Sequence, residues 1–391
     1  MDASCTHRRW PMVETIEGSC DRRFVPNVGP VVAETDPAAR LRQRNQVVAC
    51  LVGGAIGEMV GGPFDRLPLA AMLARVGGDV TGPTATSRIG DDTQLTLFTV
   101  EGIIRAEMRW LDRGLCHPPT VVWNAYRRWG LSQGLALTPG LFPDESSWLS
   151  ERPELHDRGR ASPRCLEVIS AGVAGSIDDR INRSDGSAAV MRLAPVGLRW
   201  EGAEAARNGA EFAALTHGGD RAIAASAAFA ALVAALRSGR PLAAAVNDTV
   251  EAASDMPAGD ILAPATSKAL ELARRQPRSA EALHQLGTGR TSLGALLHAI
   301  YTLACTDTFE QAILVAVTQD GTSATSASLT GQLAGLTYGL ERIPSHWQAI
   351  CPVRDLIVEL AEDWQTVQGS ASFGFGVDGS AQRLMRKYPP W

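Results

Sequence analysis

Two sets of small residues recur at intervals of four: Gly53, Gly57 and Gly61 in LVGGAIGEMVGG, and Ala327, Gly331, Gly335 and Gly339 in SASLTGQLAGLTYG. On an α-helix residues four apart share a face, so each set makes a stripe from which nothing larger than a methyl group projects. Such stripes let a neighbouring helix axis approach closely, and packing alone is enough to explain them. They constrain the chain to a fold of buried helices in close contact. Apolar residues elsewhere recur at helical spacing, as in QLTLFTVEGIIRAEMRWL, RAIAASAAFAALVAALRSG, SLGALLHAIYTLA, FEQAILVAVTQ and VRDLIVELAEDWQTV, while alternating runs suited to strands are scarce. The expected class is all-α.

Residues 1–43 mix Arg, Pro, Thr and Cys without periodicity and are expected to form an N-terminal extension, followed by a single domain over 44–391. Two long loops, 138–163 and 175–195, are rich in Gly, Pro, Ser, Asp or Arg, and loops of that length in a helical protein carry or cover a site. The chain turns Gly/Ser-rich from Gly369 and ends in LMRKYPPW, an aromatic terminus suited to docking on the body.

A formal net charge of -5 provides no basic field, so neither nucleic acid nor an anionic membrane is an expected partner. The longest small-apolar run, Ala222 to Leu236, has 15 residues between two arginines, too short to span hydrocarbon. Seven cysteines without a CxxC pair read as reduced thiols, and with no signal-peptide pattern the expected location is cytoplasmic.

Chemistry concentrates in a few segments. In IGDDTQL, Asp91 and Asp92 precede a strongly helical pattern. One carboxylate there caps free backbone amides; an adjacent pair beside Thr93 also suits a hard cation such as magnesium. Glu58 and Asp65 frame the glycine-rich turn EMVGGPFD, where a carboxylate is either a turn residue or part of a site. His217 in THGGD is either structural or an acid/base and ligand-contacting group. Arg192 is the one charge in GSAAVMRLAPVGL, so it is internally paired or aimed at an anion. No P-loop, GxGxxG or GxSxG pattern is present, which removes local support for nucleotide hydrolysis, hydride transfer and serine-nucleophile chemistry.

Taken in order, GGAIGEMVGGPFD, GDDTQLTLFTVEGIIRA, GSAAVMRLAPVGL, THGGDRAIAASAAFAAL, FEQAILVAVTQDGTSATSASLTGQLAGLTYGLERIP and VRDLIVELAED resemble the ADP-ribosylglycohydrolase family, typified by the glycohydrolase that reactivates dinitrogenase reductase. The resemblance spans Gly53 to Asp363. It implies a compact, mainly orthogonal multi-helix bundle whose central cleft holds two magnesium ions and cleaves the glycosidic bond of ADP-ribose. It also implies ligands from a Thr-Asp-Asp triplet, a carboxylate at the glycine turn and a late Asp-x-Asp-Ser/Thr motif.

Carried over, the triplet falls on Gly90, Asp91 and Asp92, so the threonine is missing. The turn carboxylate is Asp65. The late motif falls on Thr322, Ser323, Ala324 and Thr325, and both of its aspartates are gone. The chain also reads SPRC, Ser162 to Cys165, where relatives carry a Gly-Asn-Thr-Cys turn, and has Arg290 at a family tryptophan position.

The expectation is therefore no dinuclear metal pair and at most one weakly held magnesium at Asp65, Asp91 and Asp92, with no other cofactor. Asp91, Asp92 and His217 are the candidate catalytic groups. Asp65, Glu58, Arg192, Arg290, Thr322 and Thr325 are the candidate ligand contacts, for a small-molecule or nucleotide-like ligand. Three functions compete: a repurposed metal-independent enzyme acting on a polar or anionic small molecule, as in specialised metabolism; a pseudoenzyme binding an ADP-ribose-like ligand or a protein partner; and a residual magnesium-dependent ADP-ribosyl hydrolase.

Overall fold

A computed structural model describes residues 36–137, 147–157, 161–370 and 379–389. Among them are seventeen α-helices and no strand. They run α1 Pro37–Gly61, α2 Leu69–Val76, α3 Asp91–Arg113, α4 Pro118–Ser132, α5 Pro163–Ala171, α6 Ala194–Arg199, α7 Gly202–Ala214, α8 Asp220–Arg237 and α9 Leu242–Ala252. They continue with α10 Leu262–Arg275, α11 Ala280–Leu286, α12 Ser292–Ala304, α13 Phe309–Val317, α14 Ser323–Tyr338, α15 Ser345–Ala349, α16 Arg354–Ser370 and α17 Gly379–Lys387. Among the described residues the only order outside helices and turns is a single bridge between Gly186 and Thr291, which ties two loops of the cleft together.

The two small-residue stripes face each other. A Cβ on Gly57 would lie 2.0 Å from the Ala327 carbonyl oxygen, one on Gly61 2.3 Å from that of Ser323, and one on Gly331 2.0 Å from that of Gly53. Gly335 repeats the pattern against Ala49 at 2.1 Å. The obstacles are backbone atoms, which cannot swing aside, so α1 and α14 sit together along their length only because these positions lack side chains. This pairing fixes the N-terminal end of α14 beside the C-terminal end of α1, where Glu58 and Asp65 stand.

Around this pair the alanine-rich α8 is buried along nearly its whole length and α3 is buried from Asp91 to Met108. The span Pro37–Phe64 is the one described segment long and apolar enough to cross a membrane, and 94% of its most apolar window is buried inside the fold. That is how a core helix reads. On α3 the buried Glu101 is held by Arg105 of the same helix at 3.0 Å and by Arg128 of α4 at 3.3 Å, which compensates its charge.

One boundary differs from the sequence reading. Residues 1–35 of the expected extension lie outside the described residues, but its last part is helix: Asp36 accepts from the amides of Ala38 and Ala39, and Pro37 starts α1. These first turns are largely exposed, so they carry no apolar period to recognise. At the other end Tyr388 is fully buried and donates to Asp363 at 2.9 Å, so the terminus docks as expected as far as it is described; Trp391 lies outside the described residues.

Candidate functional site

The cleft opens where four chain segments meet at helix ends. The C-terminal end of α1 supplies Glu58, and the turn after it supplies Asp65. The N-terminal end of α3 supplies Asp91 and Asp92, and that of α14 supplies Thr322, Ala324 and Thr325. Together with Ser162, Arg164, Glu167, Ser187, His217 and Arg290 they line one cavity of about 450 Å³. A second cavity, of about 1000 Å³, shares Glu58 with the first and is lined by Arg75, Thr84, Thr86, Ser87 and Arg88.

Glu58 has a structural task within this site. Its carboxylate accepts from the backbone amides of Asp92 at 3.1 Å and Thr93 at 3.0 Å, capping α3 from another helix, where the positive end of the helix dipole favours an anion. No side chain of α3's own flanking residues caps it, so α1 and α3 are locked by this contact. Asp91 accepts from the Ser162 amide at 2.7 Å, which anchors the SPRC turn to the cleft floor. Asp92 accepts from the Thr325 hydroxyl at 3.1 and 3.2 Å, one distance to each carboxylate oxygen. Asp65 accepts from the Ala324 amide at 3.4 Å. The surviving hydroxyl of the late motif thus binds a protein carboxylate directly.

Four carboxylates in one buried place repel one another. Burial, then the charge of Glu58, pushes Asp91 up to about 7, against the opposing bond from Ser162. Asp92 is driven well above the usual carboxylate range by burial and by Glu58, Asp91 and Asp65 in turn. Burial also raises Glu58, with its amide contacts opposing. Asp65, at the edge, faces the exposed Arg66 at 3.5 Å.

The loop before α14 is shaped by backbone constraints. Gly321 has φ +126 and a Cβ there would lie 2.1 Å from the Thr288 carbonyl oxygen, a conformation and a proximity that only glycine tolerates. Thr322 donates its amide to that same carbonyl at 3.0 Å, and Arg66 donates its amide to Gly321 at 2.7 Å. Asp320, the one acid remaining in the loop, accepts from the Leu69 amide at 2.7 Å and caps α2. It does not line the cleft.

His217 is 1% exposed and lines the cavity. Its Nδ1 meets the Thr216 hydroxyl at 2.8 Å, and that hydroxyl accepts from Arg192 at 2.6 Å. The single Thr216 proton is therefore directed to Nδ1, which leaves the ring proton on Nε2. A Cβ at Gly186 would reach within 3.3 Å of Nε2, so the glycine keeps this nitrogen open to the cleft. Burial, then the charges of Arg192 and Arg164, lowers the ring to about 3. At neutral pH it is an uncharged hydrogen-bond donor.

Arg192 corrects the sequence reading. It is fully buried and does not line the cleft. Its guanidinium lies 4.4 Å from the Tyr126 ring centroid and donates to Cys165 Sγ, the Phe212 carbonyl and Thr216. It acts behind His217, held by a π-face and neutral acceptors rather than by an anionic ligand. The cleft brings together the other candidates: Glu58, Asp65, Asp91, Asp92, His217, Arg290, Thr322 and Thr325. Sequence reasoning missed the lining residues Arg66, Arg164 and Glu167 and the serines Ser184 and Ser187; only the unusual SPRC turn gave a signal near them.

A comparison with curated proteins gave no match. Among solved structures, a chain of an ADP-ribosylglycohydrolase-related protein complex matches with a TM-score of 0.53 at 23% identity, over 84% of this chain and 99% of its own. At that identity the likeness speaks to the fold. The family model of the ADP-ribosylglycohydrolases matches residues 39–372, which includes every helix that builds the cleft. The chain belongs to the ADP-ribosylglycohydrolase family.

Proposed function

We propose that this family member has lost the magnesium pair and uses its cleft as a metal-independent acid/base site for a polar or anionic small molecule. The observation that carries the reading is the methyl group of Ala324, in the cleft lining where the late motif calls for a carboxylate. The donors that remain do not fit two hard cations, which demand near-octahedral oxygen shells. Glu58 is occupied by two amides and Asp91 by a third, and Asp92 takes the Thr325 hydroxyl on both oxygens. Ser323 turns away to donate to the Val317 carbonyl at 3.0 Å. Among the described residues no three His, Cys, Asp or Glu side chains converge closely enough to hold an ion. Asp65, Asp91 and Asp92 would at most hold one magnesium weakly.

The chain's own groups then do the chemistry. Asp91 and Asp92 accept hydrogen bonds or a proton from ligand hydroxyl or amine groups, with Asp65 and Thr322 beside them. His217 donates from Nε2, and Arg290 faces an anionic group. General acid/base catalysis by positioned side chains contributes about 10²–10⁴-fold. The test is hydrolysis of ADP-ribosyl-arginine with excess magnesium. Background turnover is expected, and turnover typical of an active family member contradicts the proposal.

A further inference from the structure

The charges lining the cleft are divided, and the division describes a ligand. At the ends of α1 and α3, Glu58, Asp91 and Asp92 are buried and Asp65, in the turn after α1, is nearly so. Asp65 pairs with Arg66, whose side chain is 64% exposed, whereas Glu58, Asp91 and Asp92 form no ion pair with a protein cation among the described residues. These three accept hydrogen bonds from amides and one hydroxyl. Buried like charges without a counter-charge are costly, so the floor is built for a group that brings positive charge or several N–H donors.

The part of the lining around the Gly186–Thr291 bridge carries donors. Arg164 is answered by Glu167 at 2.7 Å, but Arg290 is exposed, and its guanidinium has no ion pair or hydrogen bond among the described residues. Its backbone is fixed, since the Ser187 amide donates to the Arg290 carbonyl at 3.0 Å beside the Gly186–Thr291 bridge. His217, buried, presents Nε2–H with no protein partner at this lining, with its tautomer set by the Arg192–Thr216 relay. Both groups call for an acceptor, and a guanidinium favours a carboxylate.

Resting on the metal-independent reading above, we infer that the cleft binds a small amino-acid-like molecule with a side-chain guanidinium or ammonium group on the carboxylate floor and its carboxylate at Arg290 and His217. The volume of about 450 Å³ lies in the lower part of the range for small-molecule sites. The floor supplies charge compensation; Arg290 and His217 select which end faces which way.

The test is calorimetric titration of the full chain in chelator-treated buffer with L-arginine, agmatine, which lacks the carboxylate, and L-citrulline, which keeps the α-ammonium and carboxylate but has an uncharged ureido side chain. L-arginine is expected to bind at least roughly tenfold more tightly than either single-ended probe. Arg290→Gln, at an exposed position that leaves the fold intact, is expected to erase the difference between arginine and agmatine. Asp92→Asn, with its melting transition checked, is expected to weaken both cationic probes and leave citrulline unchanged. Equal binding of citrulline and arginine, no binding of any cationic probe, or an arginine preference that survives Arg290→Gln overturns the inference. Magnesium titrated into the same preparation separates the two claims. Two tightly held ions defeat the metal-independent reading, whereas absence of both ions and arginine binding defeats this inference alone.

Discussion

Individual side chains in the cleft set opposite pH signatures. Asp91 is raised from 3.8 to about 7, so its protonated form is favoured in the fold. Its contribution is complete below about pH 4 and is lost as pH rises through about 7. His217 is lowered from 6.5 to about 3, so its contribution is present above pH 6.5 and is lost as pH falls toward 3. Thermal melting across pH 4 to 8 is predicted to show both arms: Asp91→Asn flattens the alkaline arm and His217→Gln the acid one. A wild-type alkaline arm that Asp91→Asn leaves unchanged contradicts the assignment. Glu58 tests the cap. Removing its carboxylate with Glu58→Ala strands two amides of α3, and a loss of about 1–2 kcal/mol is expected in denaturant unfolding. Thr216→Val should release the His217 tautomer, seen as mixed Nδ1 and Nε2 protonation in imidazole nitrogen NMR; an unchanged tautomer contradicts the relay.

The pairing of α1 and α14 is the element on which the cleft depends. A methyl group at Gly57 or Gly331 would meet a carbonyl oxygen 2.0 Å away, so Gly57→Ala or Gly331→Ala must push the helices apart. Overpacking of this kind costs about 1–3 kcal/mol, and the backbone obstacle places these variants at the upper end. Gly78, where a Cβ meets nothing within 4 Å, is the control: Gly78→Ala should unfold at essentially the wild-type denaturant midpoint. Equal midpoints for Gly57→Ala and Gly78→Ala contradict the account of the stripes. These stripes were legible because their information is local: a spacing of four and the absence of side chains. Their partnership was not legible, since nothing in either segment names the other.

For the whole molecule, the sequence made the helical class, the family and most of the cleft visible, because motif order survives in the chain even where ligands do not. Arg192 shows where that ends. Its surroundings are a tyrosine face, a thiol, a carbonyl and a hydroxyl from three separate segments, and no local pattern distinguishes such a place from an anion site. The same holds for Glu58, whose capping task belongs to a helix 34 residues away. The docked terminus gives a molecule-wide prediction. Tyr388 is buried against Trp148 and Asp363, so Tyr388→Ala should cost about 3 kcal/mol, read from denaturant unfolding. Most direct for the central claim is a magnesium titration followed by calorimetry on the wild-type chain and on the Thr322→Asp, Ala324→Asp double variant. The wild type is predicted to take up at most one ion, weakly, while the double variant gains affinity and a second ion. Two tightly bound ions in the wild-type chain would contradict the account.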